Sequence, residues 1–447
     1  MGDVIVSKYG GSSITSEADV DQIARITRED SRRRVIVVSA PGKRQDDDKD
    51  PKVTDLLIQL AKSRDASLIE RITERFSPLA PSTDMKFYAG LLNSRLEQSY
   101  GSSEELEDSL KAFGELVCAY LLTEGLRARG LDVVFTDAKN IFVMTPEFSR
   151  AKILPESKDR IKALKLSNIL VIPGFYGATQ DGRTVTLDRN SSDVSGAYLA
   201  AALDAIVYEN FTDSPGMYVV PPDPDSADKP RLLEELTYWE ARNLSASGFK
   251  LHQDAVLPAA AKGITIHVRG TRSYPQEGTR VVPSRKSDEA RPIVGATYEN
   301  GFCLIRVKRI GLNNEAGVYM RLGGIFADPE VGVSIEHALD GNDSVGFIVN
   351  EAQVKGKIGD VYRKILSVLG DGTSIDTRWG LGKLVVAGQG LAERPEKDPE
   401  IRDLLLKAGI NVKPLPSPDE RPECFVYMLD AKQTKRAIQI VYSNYLR

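Results

Sequence analysis

The chain reads as an α/β domain followed by two smaller α+β units, on three observations. From Asp3 to about Val282, short β-branched runs alternate with longer amphipathic stretches, the pattern of a largely parallel sheet between helices. Around Pro283–Pro292 (PSRKSDEARP) the composition turns polar and aperiodic, which marks a linker. Beyond it, two stretches of roughly 60 to 70 residues repeat one order of strands and helices, the mark of a duplicated βαββαβ module.

In the first domain the strands read as residues 4–6, 35–38, 133–135, 169–172, 205–208 and 264–268, with a helix over 18–30. The charged run 43–52 (KRQDDDKDPK) reads as a mobile, solvated loop, and 221–231 as a second surface loop. The first later unit holds a strand over 302–308, a turn at 313–317, a helix, and strands at 333–336 and 345–349. The second holds a strand at 383–388, a helix near 399–408, a short strand at 410–412 and another at 424–429. The prolines of Pro414-Leu415-Pro416-Ser417-Pro418 interrupt what would otherwise extend as a strand. The expected domains are 1–285, a linker over 286–300, then 301–380 and 381–447, the last open to sharing the strand near 302–308.

Length and composition agree. A chain of 447 residues exceeds the ~250–300 at which one core stops growing. Net charge is -4, with 59 basic and 63 acidic residues interspersed, which argues against a nucleic-acid surface. No apolar run reaches the roughly 18 residues a bilayer needs, and the start MGDVIVSKYGG lacks the features of a signal peptide, so a cytoplasmic protein without membrane contact is expected. Cys118, Cys303 and Cys424 are far apart with no CxxC pair, and His252, His267 and His337 are equally scattered, so neither disulfides nor a protein-held metal is expected.

Three motifs carry chemistry. Lys8-Tyr9-Gly10-Gly11-Ser12-Ser13 follows a strand and precedes a helix, where paired glycines admit phosphates and Lys8 offers a point charge; an ordinary left-handed turn would read the same way. It is neither GxxxxGK[ST] nor GxGxxG, so a different phosphate cradle is implied. Pro173-Gly174-Phe175-Tyr176-Gly177 leads to Thr186-Leu187-Asp188-Arg189-Asn190-Ser191-Ser192-Asp193 at a helix start. There Arg189 can grip a carboxylate, and Asp193 either orients Lys8 or a metal or simply complements the helix dipole. Thr212-Asp213, ending a strand, stand where a nucleotide binds beyond parallel strands, or form a plain strand-to-loop turn.

Together these blocks resemble the aspartate kinases over essentially the whole chain. Lys8–Ser13 fits the family's Lys-[Phe/Tyr]-Gly-Gly-[Thr/Ser]-Ser opening. Val37-Val38-Ser39-Ala40-Pro41-Gly42-Lys43-Arg44 with Lys52-Val53-Thr54-Asp55-Leu56-Leu57 is similar to the single-function, bacillus- and clostridium-type branch, and Gly114-Glu115, Tyr208–Asp213 and Leu236-Thr237-Tyr238 continue the likeness.

The resemblance implies an amino-acid-kinase fold followed by two ferredoxin-like ACT modules. It implies transfer of the γ-phosphoryl of ATP, with Mg²⁺, to the β-carboxylate of L-aspartate, the first step toward lysine, threonine and methionine. Carried over to this chain, Lys8, Asp193 and Arg189 are catalytic; Ser39, Thr54, Glu115 and Arg189 hold aspartate, with Glu115 on its amine. Lys8, Gly10, Gly11, Ser12, Thr212, Asp213 and Tyr218 border the nucleotide. ACT modules pair across subunits, which implies a homodimer or a dimer of dimers. An end-product amino acid, lysine for this branch, then falls to Asn314, Gly317, Val318, Tyr319, Ser334, Ile335 and Glu336. Glu336 either pairs with the lysine ammonium or is a plain surface carboxylate.

The chain also departs from the family. Asn190-Ser191 stand where relatives carry glycines, and a φ above zero would strain Ser191 by roughly 1 kcal/mol. Ser214-Pro215-Gly216 replaces Val-Asp-Gly, and no basic residue follows before Arg231, leaving Lys250 or Arg269 to supply that charge. Two other readings therefore stand beside the kinase of aspartate: a catalytically weakened amino-acid sensor, and a kinase of another small amino acid.

Overall fold

The computed structural model describes residues 3–43, 51–188, 191–223, 229–245 and 251–447. They pack as two units. One takes the chain to Tyr218, then Leu232–Ser245 and onward to Arg285; the other takes Val219–Arg231, as far as described, and Lys286–Arg447.

The strands of the first unit are β1 (Ile5–Tyr9), β2 (Arg33–Val38), β3 (Val133–Phe135), β4 (Ile169–Pro173), the hairpin β5 (Tyr176–Ala178) and β6 (Thr184–Thr186), then β7 (Val207–Thr212), β8 (Glu235–Thr237), β9 (Thr265–Gly270) and β10 (Thr279–Val282). All but the hairpin form one sheet in the order β3-β4-β2-β1-β7-β9-β10-β8, parallel except where β10 meets β9. Val35, Ile36, Val37 and Val38 are each fully buried, as β-branched residues must be in a strand covered on both faces.

Helices supply the cover. Ser16 caps α1 (Glu17–Glu29) by accepting the Asp19 N–H, and Val20, Ile23, Ala24 and Thr27 recur at helical spacing to line its buried face. Then come α2 (Val53–Ser63), α3 (Ser67–Glu74), α4 (Met85–Glu97) and α5 (Ser103–Ala128), whose Leu106, Leu110, Phe113, Val117 and Leu121 share one core with Leu56, Leu60 and Ile72. Shorter helices follow: α6 (Ser157–Lys162), α7 (Ser192–Ala202), α8 (Tyr238–Leu244) and α9 (Val256–Ala260).

One ionic cluster is built into this sheet. Glu209 of β7 accepts two hydrogen bonds from Arg33, at 2.7 and 2.8 Å, and one from Ser7 Oγ at 2.7 Å. Arg269 Nη1 lies 3.6 Å away, and its guanidinium stacks 4.5 Å from the Tyr274 ring centre. All the charged members are buried.

The second unit is a six-stranded antiparallel sheet ordered β12-β13-β11-β14-β16-β15. Its strands are β11 (Gly295–Lys308), β12 (Ile335–Gly341), β13 (Ser344–Asn350), β14 (Ser374–Ala387), β15 (Lys413–Pro414) and β16 (Cys424–Asp430). The helices are α10 (Val318–Ala327), α11 (Glu351–Val354), α12 (Ile358–Leu369), α13 (Lys397–Lys407) and α14 (Thr434–Val441).

β11 and β14 each run 14 residues and serve both of the repeated α+β modules, one half of each strand to either. The expected linker therefore ends at Gly295, and the strand lent to the second module is 295–300 rather than 302–308. Cys303, Ile305, Val307 and Phe347 pack on Leu322, Phe326, Val361 and Ile365 of α10 and α12. The proline-rich stretch behaves as read: β15 is two residues at the sheet edge. At the described ends of the segment expected as a surface loop at 221–231, Pro222, Lys229 and Arg231 are exposed and the backbone is irregular; Gln439 Nε2 donates to Asp223 at 3.4 Å, and just before the segment the Val219 carbonyl accepts the Ala296 N–H at 2.8 Å. Most of the charged run 43–52 lies outside the described residues.

Candidate active site

β1 stands between β2 and β7, so the chain leaves the centre of the parallel sheet toward both sides, and the crevice at that switch point is where such sheets bind ligands. Lys8-Gly10, Ser39, Gly174, Thr212 and Thr271 all lie at the carboxyl ends of β1, β2, β4, β7 and β9. After β1 the backbone turns tightly over Gly11–Ser13. Neither Gly10 nor Gly11 has a positive φ, so the left-handed turn is not what the glycines provide. A Cβ on Gly11 would fall 2.3 Å from the Ala40 carbonyl oxygen and 2.9 Å from Gly42 N, and only glycine permits that approach. Arg272 fixes the turn from the β9 side: its Nη2 donates to the Ser12 carbonyl at 3.1 Å while Nε and Nη2 hold Asp19 at 2.9 and 3.0 Å. Thr271 Oγ1 donates to Ser13 Oγ at 2.7 Å.

Lys8 Nζ lies 2.5 Å from Asp193 Oδ1. The contact is electrostatic, since Oδ1 has no directional hydrogen bond, whereas Oδ2 accepts the His252 N–H at 3.0 Å. Tyr208, buried on β7, donates its hydroxyl to the Asp193 carbonyl at 3.0 Å and so ties the start of α7 to the sheet. Asp193 is thus more than a helix-dipole acid. Ser191 has φ −94°, an unstrained conformation, so the strain expected there is absent. Arg189 and Asn190 lie outside the described residues.

On the other side of the turn, Ser39 Oγ and Ser192 Oγ are 2.6 Å apart, joining β2 to α7. Thr54 is half-buried in the first turn of α2. Glu115, in the middle of α5, is buried, and its Oε2 has no hydrogen-bond partner. Desolvation pushes its carboxyl up to about 8, against the pull of the Ala40 N–H, its own N–H and the Lys111 charge. Such a carboxyl is short of one cation, which an amino-acid ammonium would supply.

On the nucleotide side Thr212 is buried and donates to Asp213 Oδ1 at 3.0 Å, while Tyr218 is half-buried at the end of this unit. Arg269 does not supply the missing basic charge, because it is buried against Glu209 and Tyr274; Lys250 lies outside the described residues. Among the described residues no three His, Cys, Asp or Glu side chains converge on a metal position. Phe175, named in the sequence only as part of the Pro173–Gly177 stretch and given no role, adopts φ 73° while buried, a costly conformation for a bulky residue. Its N–H is held by Ser195 Oγ at 2.9 Å, and the Pro-Gly pair before it was the available signal.

The amino acid kinase family model matches residues 3–270. Aspartokinase 3 of Bacillus subtilis (strain 168) is 31% identical over 98% of this chain and 98% of its own length. The chain belongs to the aspartokinases. Lysine-sensitive aspartokinase 3 of Escherichia coli (strain K12) is 27% identical over 75% of this chain and 76% of its own. The crystal structure of E. coli aspartokinase III in complex with aspartate and ADP shares the fold, with a TM-score of 0.84 at 22% identity over 100% of both chains.

The residues expected to take the effector in an aspartokinase lie in the second unit, on neighbouring elements. Asn314 is exposed in the turn before α10; Gly317, at φ 76°, opens that helix, a conformation that favours glycine; Val318 is buried. Tyr319 donates to Asp340 of β12 at 2.6 Å, and Ser334 N–H to Gln353 at 2.9 Å. Ile335 and Glu336 begin the exposed edge strand β12. Glu336 is no unattached surface carboxylate: Lys383 Nζ lies 3.5 Å from it, and 3.4 Å from Glu299.

Proposed function

We propose that this aspartokinase moves the γ-phosphoryl of ATP onto the β-carboxylate of L-aspartate with Lys8 and Asp193 as its central pair. The observation that carries the assignment is the 2.5 Å Lys8–Asp193 contact at the sheet's switch point, above a turn that Gly11 lets pack closely on residues 40–42. Asp193 holds the Lys8 ammonium at the mouth of β1, where it offsets charge spreading over the transferring phosphoryl group. Mg²⁺ accompanying ATP would supply further neutralisation of the phosphate charge. Glu115 takes the substrate ammonium, and Ser39 and Thr54 lie on the elements that flank it. Arg189 is assigned the α-carboxylate, and Thr212, Asp213 and Tyr218 the nucleotide. The acceptor is already a carboxylate, so no general base is required; alignment and charge compensation do the work.

Lysine is the proposed effector, at Asn314, Gly317, Val318, Tyr319, Ser334, Ile335 and Glu336, in keeping with the lysine sensitivity named for the E. coli relative. The exposed edge of β12 supports pairing with a second copy, hence a homodimer as the working unit. No helix among the described residues is long and apolar enough to cross a membrane, which suits the cytoplasmic location proposed. Of the two rival readings, the sensor loses one support with the unstrained Ser191.

Formation of aspartyl phosphate, trapped as its hydroxamate with ATP and Mg²⁺, tests the reading. Turnover that is lost in Lys8→Ala and falls with added lysine is expected. Amino-acid binding without turnover in folded protein would favour the sensor, and product from another amino acid alone would favour a different kinase.

A further inference from the structure

Arg75 ends α3 and takes no part in the reaction outlined above, yet it is buried, with 5% of its surface exposed. Hiding a guanidinium is costly unless its donors are met. Two of its nitrogens meet backbone: Nη1 donates to the Pro51 carbonyl at 2.7 Å, and Nη2 to the Gly42 carbonyl. These carbonyls flank residues 44–50.

Each leads straight to the site. Gly42 N–H donates to the Gly11 carbonyl at 2.9 Å, and a Cβ on Gly42 would fall 2.7 Å from Ser12 N, so this segment lies flat on the phosphate turn. Two residues earlier, the Ala40 N–H bonds to the buried Glu115 carboxyl. Pro51 stands just before α2, where Val53 N–H donates back to the Pro41 carbonyl at 3.4 Å and Thr54 follows. One planar fork therefore spans the segment that touches Gly11 and Glu115 and the helix start that carries Thr54.

We propose that Arg75 is a positioning residue for the aspartate substrate, setting the separation of the Gly42 and Pro51 carbonyls and with it the spacing between Glu115 and Thr54. The proposal rests on reading those two residues as aspartate contacts. Lysine cannot replace this arginine, because a point donor on a flexible stem does not hold two carbonyls in one plane.

Arg75→Lys and Arg75→Gly, compared with the unaltered full chain by steady-state kinetics and amide hydrogen exchange, test it. Arg75→Lys should raise the KM for aspartate between about tenfold and a hundredfold while the KM for ATP stays within about twofold. Exchange should quicken at residues 40–43 and 51–54 and not in β7 or β9. Guanidinium chloride at non-denaturing concentration should lower the aspartate KM of Arg75→Gly and leave Arg75→Lys unchanged. Equal rises in both KM values, or a fall in kcat alone with exchange unchanged at those segments, would overturn the proposal in favour of general destabilisation. Glu115→Gln and Thr54→Val separate the two layers. If these leave the aspartate KM unchanged, the substrate reading itself fails; if they raise it and the Arg75 variants do not, the positioning role alone fails.

Discussion

Lys8 Nζ and Asp193 Oδ1 are 2.5 Å apart, with side chains only 8% and 10% exposed, so each holds the other's charge in a place water scarcely reaches. Removing either leaves the partner buried and uncompensated. Lys8→Met and Asp193→Asn should each lower kcat by roughly 10²- to 10³-fold with folding retained by circular dichroism, and the double variant should lose far less than the product of the two. Multiplicative losses would show that the two side chains act independently.

Glu115 makes aspartate binding depend on pH. Its carboxyl sits at about 8 rather than the ordinary 4.5, so the free protein holds it protonated at neutral pH, and binding an ammonium requires the proton to leave. The KM for aspartate should therefore fall as pH rises, by up to about tenfold per unit, and level off above about 8. The same raised value favours the folded state at low pH, a contribution lost progressively as pH rises from 4.5 through 8. Glu115→Gln should flatten the KM profile. A wild-type profile that is flat from pH 6 to 9 would remove Glu115 from the amine site.

Gly11→Ala places a methyl 2.3 Å from the Ala40 carbonyl oxygen, a separation that forces backbone movement. The phosphate turn must lift from the 40–42 segment, and the KM for ATP should rise by about tenfold or more with little change in that for aspartate. Gly182→Ala, at a position with open space but φ 89°, serves as the control: it costs stability without touching the nucleotide KM.

Lys383 occupies the partner position of Glu336 in the second unit. An effector that brings its own ammonium competes with that side chain. Lys383→Met should thus lower the lysine concentration for half inhibition by several-fold, of the order of one exposed ion pair, and Glu336→Gln should raise it. Identical inhibition curves for the three proteins would place the effector elsewhere.

Arg33→Met strips Glu209 of its two-point partner and leaves it buried with Ser7 and the more distant Arg269. Loss of about 3–5 kcal/mol in urea unfolding is expected, with part recovered in the Arg33→Met, Glu209→Gln pair. A loss below about 1 kcal/mol would mean that the cluster is already hydrated.

Much of the site was legible because adjacency carried it. Lys8, Gly10 and Gly11 are neighbours in sequence and stay neighbours in the turn, and the β-branched run 35–38 could only be a strand covered on both faces. What was not legible depends on partners that leave no side-chain signature. Arg75 binds carbonyl oxygens, which every residue possesses, and the His252 N–H on Asp193 is likewise backbone. Strain at Ser191 depends on whether its position needs a φ above zero, which the residue type does not tell; its φ of −94° follows from where α7 begins.

Alternation of apolar and polar residues, the punctuation by glycine and proline, and the contiguous motifs determined the α/β domain, the paired α+β units and the family chemistry, because these are local properties of a chain. Tertiary structure alone decided that β11 and β14 are shared between modules, and that Lys8 meets Asp193 while Lys383 meets Glu336. Those pairings join residues distant in sequence and exist only once the chain has folded; for Lys8 and Asp193 the energy comes from burial and the low dielectric around them.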